Sequence, residues 1–169
     1  MKLLLTFLFF VIPTFSFSQT NETSQVSNAN YASFIMYHRF GDSRYPSTNI
    51  KKEQFLEHIN ELIKPKYNVI SIEEALQAIN NVEPTKDRSV VITIDDAYSS
   101  VYKYAWPIFK KYNLPFTLFV STDVIDNNIP GYMNWEQIRI LRDHGVTIGS
   151  QTKSHPHMFK LSREKIIQE

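Results

Sequence analysis

Residues 89–94 read SVVITI, a run of β-branched residues with no apolar–polar alternation. A strand with one face in water alternates. One that does not alternate is covered on both faces, as in a parallel sheet sandwiched by helices. This run restricts the chain to folds built around a two-sided sheet. Directly after it stand two carboxylates, Asp95 and Asp96.

The rest of the chain supports such a sheet. Residues 33–37 (SFIMY), 67–72 and 116–120 read as further strands, and 146–149 as a last one. Between them lie amphipathic stretches. Phe55, Leu56, Ile59, Leu62 and Ile63 recur at helical spacing over 52–63. Ser71 with Glu74 three residues on forms a capping-box pattern for a helix running to about Asn80. Residues 98–112 predict a helix bent at Pro107, 134–144 a helix stopped by Gly145, and 161–169 the start of another. Residues 84–88 read as a polar turn. Strand–helix alternation at this rhythm predicts an α/β fold with parallel strands and five strands in all.

Composition narrows the chemistry. The formal net charge is +1, which gives no basis for nucleic acid or an anionic membrane surface as partner. There is no cysteine, so disulfides, thiolate metal sites and thiol nucleophiles are excluded. Any metal must sit on imidazole, carboxylate or amide oxygen. Aromatic residues reach 14%, read mainly as core and secondarily as stacking surface for sugar rings. Met1-Lys2, the apolar run 3–11, Pro13 and the small residues Ser16 and Ser18 fit a secretory signal spanning 1–18. Residues 19–30 read as a polar, flexible leader, and 31–169 as one domain. The expected location is secreted or periplasmic, with no stable membrane anchor after signal cleavage.

In parallel α/β folds ligands bind at the carboxyl ends of strands. Those ends carry Tyr37-His38-Arg39, Asp95-Asp96, Ser121-Thr122-Asp123 and the segment SQTKSHPH over 150–157. Adjacent carboxylates repel each other in a low-dielectric site, and a cation or a shared proton relieves this. One Asp then ligates a metal while the other takes a proton from water. The competing readings are an exposed acidic turn or a helix cap. His155 and His157, with Gln151 four before His155, add donors suited to a divalent metal. His38 stands at the same rim, as a site residue or a hydrogen-bonded structural one. Tyr98 offers a backbone N–H to an oxyanion. Tyr132 and Trp135 belong either to helix-start packing or to a sugar-contacting lip. Arg39 and Lys153 read as solvated or as contacts to anionic glycan.

At this point the chain resembles a known family. VVITIDDAY is similar to the first motif of the polysaccharide deacetylases that share the chitooligosaccharide-deacetylase homology domain (carbohydrate esterase family 4), usually T-F-D-D-G. GVTIGSQTKSHPHM is similar to their second motif, usually H-[ST]-x-x-H. LPFTLFVSTDVI and MNWEQIRIL fit between, and MYHRFGDSRYPSTNI resembles a proteobacterial branch. The resemblance covers residues 33–169. It implies the N-terminal two-thirds of a distorted (β/α)7 barrel, parallel strands with outer helices, with the domain cut short at its C-terminus. It implies hydrolysis of N-acetyl (or O-acetyl) groups on an extracytoplasmic polysaccharide containing N-acetylated sugars. The cofactor implied is a divalent metal, zinc first, with cobalt, nickel or manganese as alternatives. The general base falls on Asp95, and the metal ligands on Asp96 and His155. The remaining metal His falls on Gln151, a weaker ligand, for which His157 or His38 can substitute. Tyr98, His38 and Trp135 are the substrate and oxyanion candidates. Ala97 stands where the family has Gly, affecting the tightness of the turn. Later family motifs, with an orienting Arg and a His acid, would lie past Glu169. The alternative function is a catalytically impaired glycan-binding domain of the same fold.

Overall fold

A computed structural model describes residues 28–29 and 31–169. The expected signal at 1–18, and the leader apart from 28–29, lie outside the described residues.

Five parallel strands form the sheet. They are β1 (Ser33–Tyr37), β2 (Asn68–Ile70), β3 (Ser89–Ile94), β4 (Thr117–Val120) and β5 (Thr147–Ser150). β3 is central. One edge pairs with β1 from Ser33↔Val90 to Tyr37↔Ile94. The other edge is shared: β2 pairs with its first half, and β4 with Thr93 and Ile94. β5 then extends the sheet beyond β4. All six residues of β3 are buried, as its unalternating sequence demands. β1 behaves oppositely. Tyr37 is buried while Phe34 and Met36 on the alternate face are open.

Helices cover the sheet. α1 (Lys52–Leu62) buries Phe55, Ile59 and Leu62, the stripe read from its periodicity. Phe55 meets Phe40 and Phe109 edge-on, at ring centroid distances of 4.7 and 5.3 Å. Burying such side chains contributes about 1.5–3 kcal/mol each. α2 (Ile72–Ile79) opens on the expected capping box. The Ser71 N–H donates to Glu74 at 2.8 Å, and the Glu74 N–H donates to the Ser71 hydroxyl at 3.2 Å. α5 (Trp135–Asp143) is capped the same way by Asn134 and Gln137. α6 (Arg163–Gln168) is the last element among the described residues.

The helix predicted over 98–112 differs in detail. Val101–Ala105 form a π-helical turn, with the Trp106 N–H reaching back to the Val101 carbonyl. Pro107 lies in the first turn of the following helix, α3 (Trp106–Lys111). Proline lacks an N–H and its ring crowds the carbonyl four residues earlier. A widened turn before it relieves that conflict. A one-turn helix, α4 (Thr122–Asp126), follows β4 directly. The turn at 84–88 contains Thr85–Lys86, which pairs antiparallel with Asn28–Ala29. Arg39–Phe40 pairs parallel with Asn49–Ile50.

Candidate active site

The Asp95 N–H donates to the Tyr37 carbonyl at 2.9 Å, carrying the β1–β3 ladder one residue past the end of β3. The chain then turns through two left-handed residues, Asp96 (φ 69°) and Ala97 (φ 50°). Each such residue costs about 1–2 kcal/mol when it is not glycine, less for Asp. The surroundings hold the turn in place. The Asp96 N–H donates to Gln151 Oε1 at 3.2 Å, and the Ala97 carbonyl accepts the Met133 N–H at 2.8 Å. Ala97 is fully buried. Ala97, standing where the resembling family has glycine, takes the left-handed conformation that favours glycine.

This turn sets the adjacent carboxylates against different imidazoles. Asp95 Oδ2 lies 3.8 Å from His38 Nε2, and Asp96 Oδ1 lies 3.7 Å from His155 Nε2. Both distances exceed a hydrogen bond and leave charge attraction only where the imidazole carries a proton on both nitrogens. β1 supplies His38, β3 the Asp pair, and the loop after β5 supplies Gln151 and His155. Three strand ends thus converge. Burial holds the Asp95 carboxyl above the usual carboxylate range. The Asp96 charge adds to the rise, against the pull of His38 and His155.

A cleft of about 240 Å³ opens on Asp96 and is lined also by Tyr98, Ser121, Val124, Tyr132, Ser154 and His155; Asp95 is not among its lining residues. Tyr98 and Tyr132 face each other with ring centroids 4.8 Å apart. A short antiparallel bridge joins them through the Met133 N–H to Ala97 carbonyl and Ser99 N–H to Gly131 carbonyl bonds. The Tyr98 N–H takes no part in that bridge. Burial, the hydrogen bond with Tyr132 and the Asp96 charge push the Tyr98 hydroxyl well above its ordinary range.

Several predicted residues land elsewhere. Arg39 is not merely solvated. Its guanidinium sits over the Tyr98 ring at 3.5 Å and the Tyr45 ring at 4.0 Å, bracing the tyrosine wall of the cleft. Lys153 lies 3.8 Å from Asp123. The Trp135 indole N–H donates to Asp126 at 2.8 Å, and the residue lines a different cleft with Ile138, Arg139 and Arg142. His157 is exposed, its ring 6.0 Å from Phe159. Ser154 lies in the 150–157 segment singled out at a strand end, whereas nothing in the pattern marks Val124 as a cleft residue, because a one-turn helix shows no period.

The donor set bears on a metal. Two ligands of one tetrahedral ion, each about 2.0–2.2 Å from it, lie about 3.4 Å apart. The Asp96–His155 separation of 3.7 Å fits that span. Gln151 Oε1 spends one lone pair on the Asp96 N–H and keeps the other. Among the described residues, no group of three His, Asp or Glu side chains stands ready to hold an ion. The residues fit a divalent cation as a two-donor pair with an amide oxygen adjacent.

A family profile described as polysaccharide deacetylase matches residues 82–169. The chain belongs to this family. YxkH of Bacillus subtilis (strain 168) is 28% identical over 131 residues, covering 78% of this chain and 46% of its own. The poly-beta-1,6-N-acetyl-D-glucosamine N-deacetylase of Staphylococcus aureus (strain MSSA476) is 29% identical over 98 residues, covering 58% of this chain and 33% of its own. The chain thus spans less than half the length of these relatives. Among solved structures, a de-N-acetylase from Aggregatibacter actinomycetemcomitans superposes with TM-score 0.63 at 26% identity, over 70% of this chain and 53% of that one. The Streptococcus pyogenes deacetylase PplD, solved with acetate, superposes with TM-score 0.75 at 22% identity, over 85% of this chain and 65% of that one. The latter likeness bears on fold alone. The parallel α/β architecture with flanking helices is that of these deacetylases.

Proposed function

We propose that this chain carries part of the active centre of a hydrolase that removes N-acetyl groups from an extracytoplasmic polysaccharide. The observation that carries this reading is the convergence of Asp95, Asp96, His155 and His38 at three strand ends. Relatives named as N-deacetylases, one of them acting on poly-beta-1,6-N-acetyl-D-glucosamine, support amide hydrolysis on an N-acetylated glycan. Among the described residues no helix is long and apolar enough to cross a membrane.

Asp96 and His155 would hold a divalent cation, zinc first, with Gln151 as a weak third donor. The ion supplies Lewis acidity at the acetyl carbonyl. Asp95 takes the proton from the water that attacks the carbonyl carbon, and burial, which raises its affinity for protons, makes it a stronger base than an exposed carboxylate. His38, facing Asp95, stabilises that carboxylate while it is ionised. The Tyr98 N–H would share the developing oxyanion charge. The C–N bond then breaks as the nitrogen receives the proton that Asp95 took from water, and the proton of the acetic acid formed follows, to give acetate and a protonated amine. Tyr98 and Tyr132 form the wall against which a sugar ring rests.

One observation favours a second reading. The amide oxygen of Gln151 is engaged by the Asp96 N–H, where the family resemblance implies an imidazole. A glycan-binding domain with an impaired metal site is the alternative. Acetate release from poly-N-acetylglucosamine by the full-length protein decides between them. Release that stops on chelation and returns with zinc or cobalt is the expected result. Glycan binding without any acetate release under metal loading contradicts the hydrolase reading.

A further inference from the structure

The Glu169 side chain grips the backbone one residue before His155. One carboxylate oxygen accepts the Ser154 N–H at 2.8 Å and the other accepts the Ser154 hydroxyl at 2.7 Å. The Glu169 carbonyl also accepts the Lys153 N–H at 3.0 Å. The opposite side of the loop is tied to β4 and α4. The Asp123 N–H donates to the Lys153 carbonyl at 2.9 Å, and the Ser121 hydroxyl to the Gln151 carbonyl at 3.1 Å.

These ties act on a strained and open segment. Thr152 (φ 64°) and His155 (φ 57°) are both left-handed, and neither is glycine. The His155 side chain is 56% exposed, so core packing does not orient its ring. Within the loop, the His155 N–H is held only locally, by Thr152 Oγ1 at 3.1 Å. A two-pronged, charge-assisted bond from Glu169 is the contact that fixes the residue next to it.

We infer that Glu169 is a positioning residue for the Asp96–His155 pair: by fixing Ser154 it sets the direction in which His155 presents Nε2 to Asp96. The inference rests on the reading that this pair holds a divalent cation. Glu169 touches no reacting atom. Its contribution is preorganisation, which in metal sites changes affinity by about 10–100-fold when an outer contact is lost.

The test is zinc titration of full-length protein, wild type against Glu169→Ala and Glu169→Gln, with cobalt absorption as a second readout. Glu169→Ala weakens zinc binding about 10–100-fold. Glu169→Gln, which keeps one acceptor for Ser154, recovers part of the loss. Amide exchange at Ser154 and His155 quickens in metal-free Glu169→Ala while its melting temperature stays near wild type. If Glu169→Ala unfolds, Glu169→Gln, which removes the charge and one of the two acceptors, carries the test: several-fold weaker zinc supports the role and unchanged affinity overturns it. Wild-type zinc affinity in a folded Glu169→Ala overturns the inference and leaves the metal reading standing. A wild type that takes up no metal overturns both.

Discussion

Asp95→Asn in the full-length protein lowers acetate release by about 10²–10⁴-fold, the range for removing a positioned acid–base group. Zinc affinity stays near wild type, because the Asp96–His155 pair is untouched. Stability changes in the opposite sense from activity. Burial raises the proton affinity of Asp95 in the folded state, so ionising it there costs more than in the unfolded chain. The stability it contributes is present while the carboxyl is protonated. It is lost as pH rises from the unfolded value through the folded one. At neutral pH the ionised Asp95 therefore destabilises the fold, and neutral Asn removes that cost. The melting temperature of Asp95→Asn rises at neutral pH, and the gain disappears in acid. Calorimetry across pH with parallel acetate assays checks both halves. Activity within tenfold of wild type removes Asp95 from the role of base.

Gln151→His has the next largest effect. Imidazole nitrogen is a better zinc ligand than a neutral amide oxygen, so zinc affinity rises by about tenfold or more, roughly 1.4 kcal/mol. The same change removes the acceptor for the Asp96 N–H at the left-handed turn. Losing one such hydrogen bond costs about 0.5–1.5 kcal/mol. Metal-free Gln151→His therefore melts lower than wild type, while the zinc-loaded form melts higher. Zinc titration and paired melting curves show the crossover. A variant with unchanged zinc affinity means that position 151 does not face the ion.

Much of this arrangement is legible in the sequence, and the reasons differ by element. SVVITI marks β3 because burial on both faces leaves no room for alternation. The α2 boundary is legible because Ser71 and Glu74 satisfy each other's backbone. The π turn before Pro107 is not legible: a proline predicts a conflict, and a widened turn is one of several ways to relieve it. α4 is too short to show a period. The convergence of Asp95 with His38 and of Asp96 with His155 follows from strand ends meeting at one rim. The division of partners between the two carboxylates depends on two left-handed residues, one of them Ala97, that no pattern announces. Arg39 illustrates the same limit. Its charge predicts solvent, whereas the fold places it between two tyrosine rings.

The central claim is that the Asp pair belongs to a metal-dependent hydrolytic site, and bound metal measures it most directly. Elemental analysis of full-length protein, after loading with zinc and desalting, gives about one ion per chain for wild type on the tetrahedral-site reading. Asp96→Ala, loaded identically and shown to be folded, gives none. An Asp96→Ala protein that retains an equimolar ion, or a wild type that retains no ion, contradicts the account.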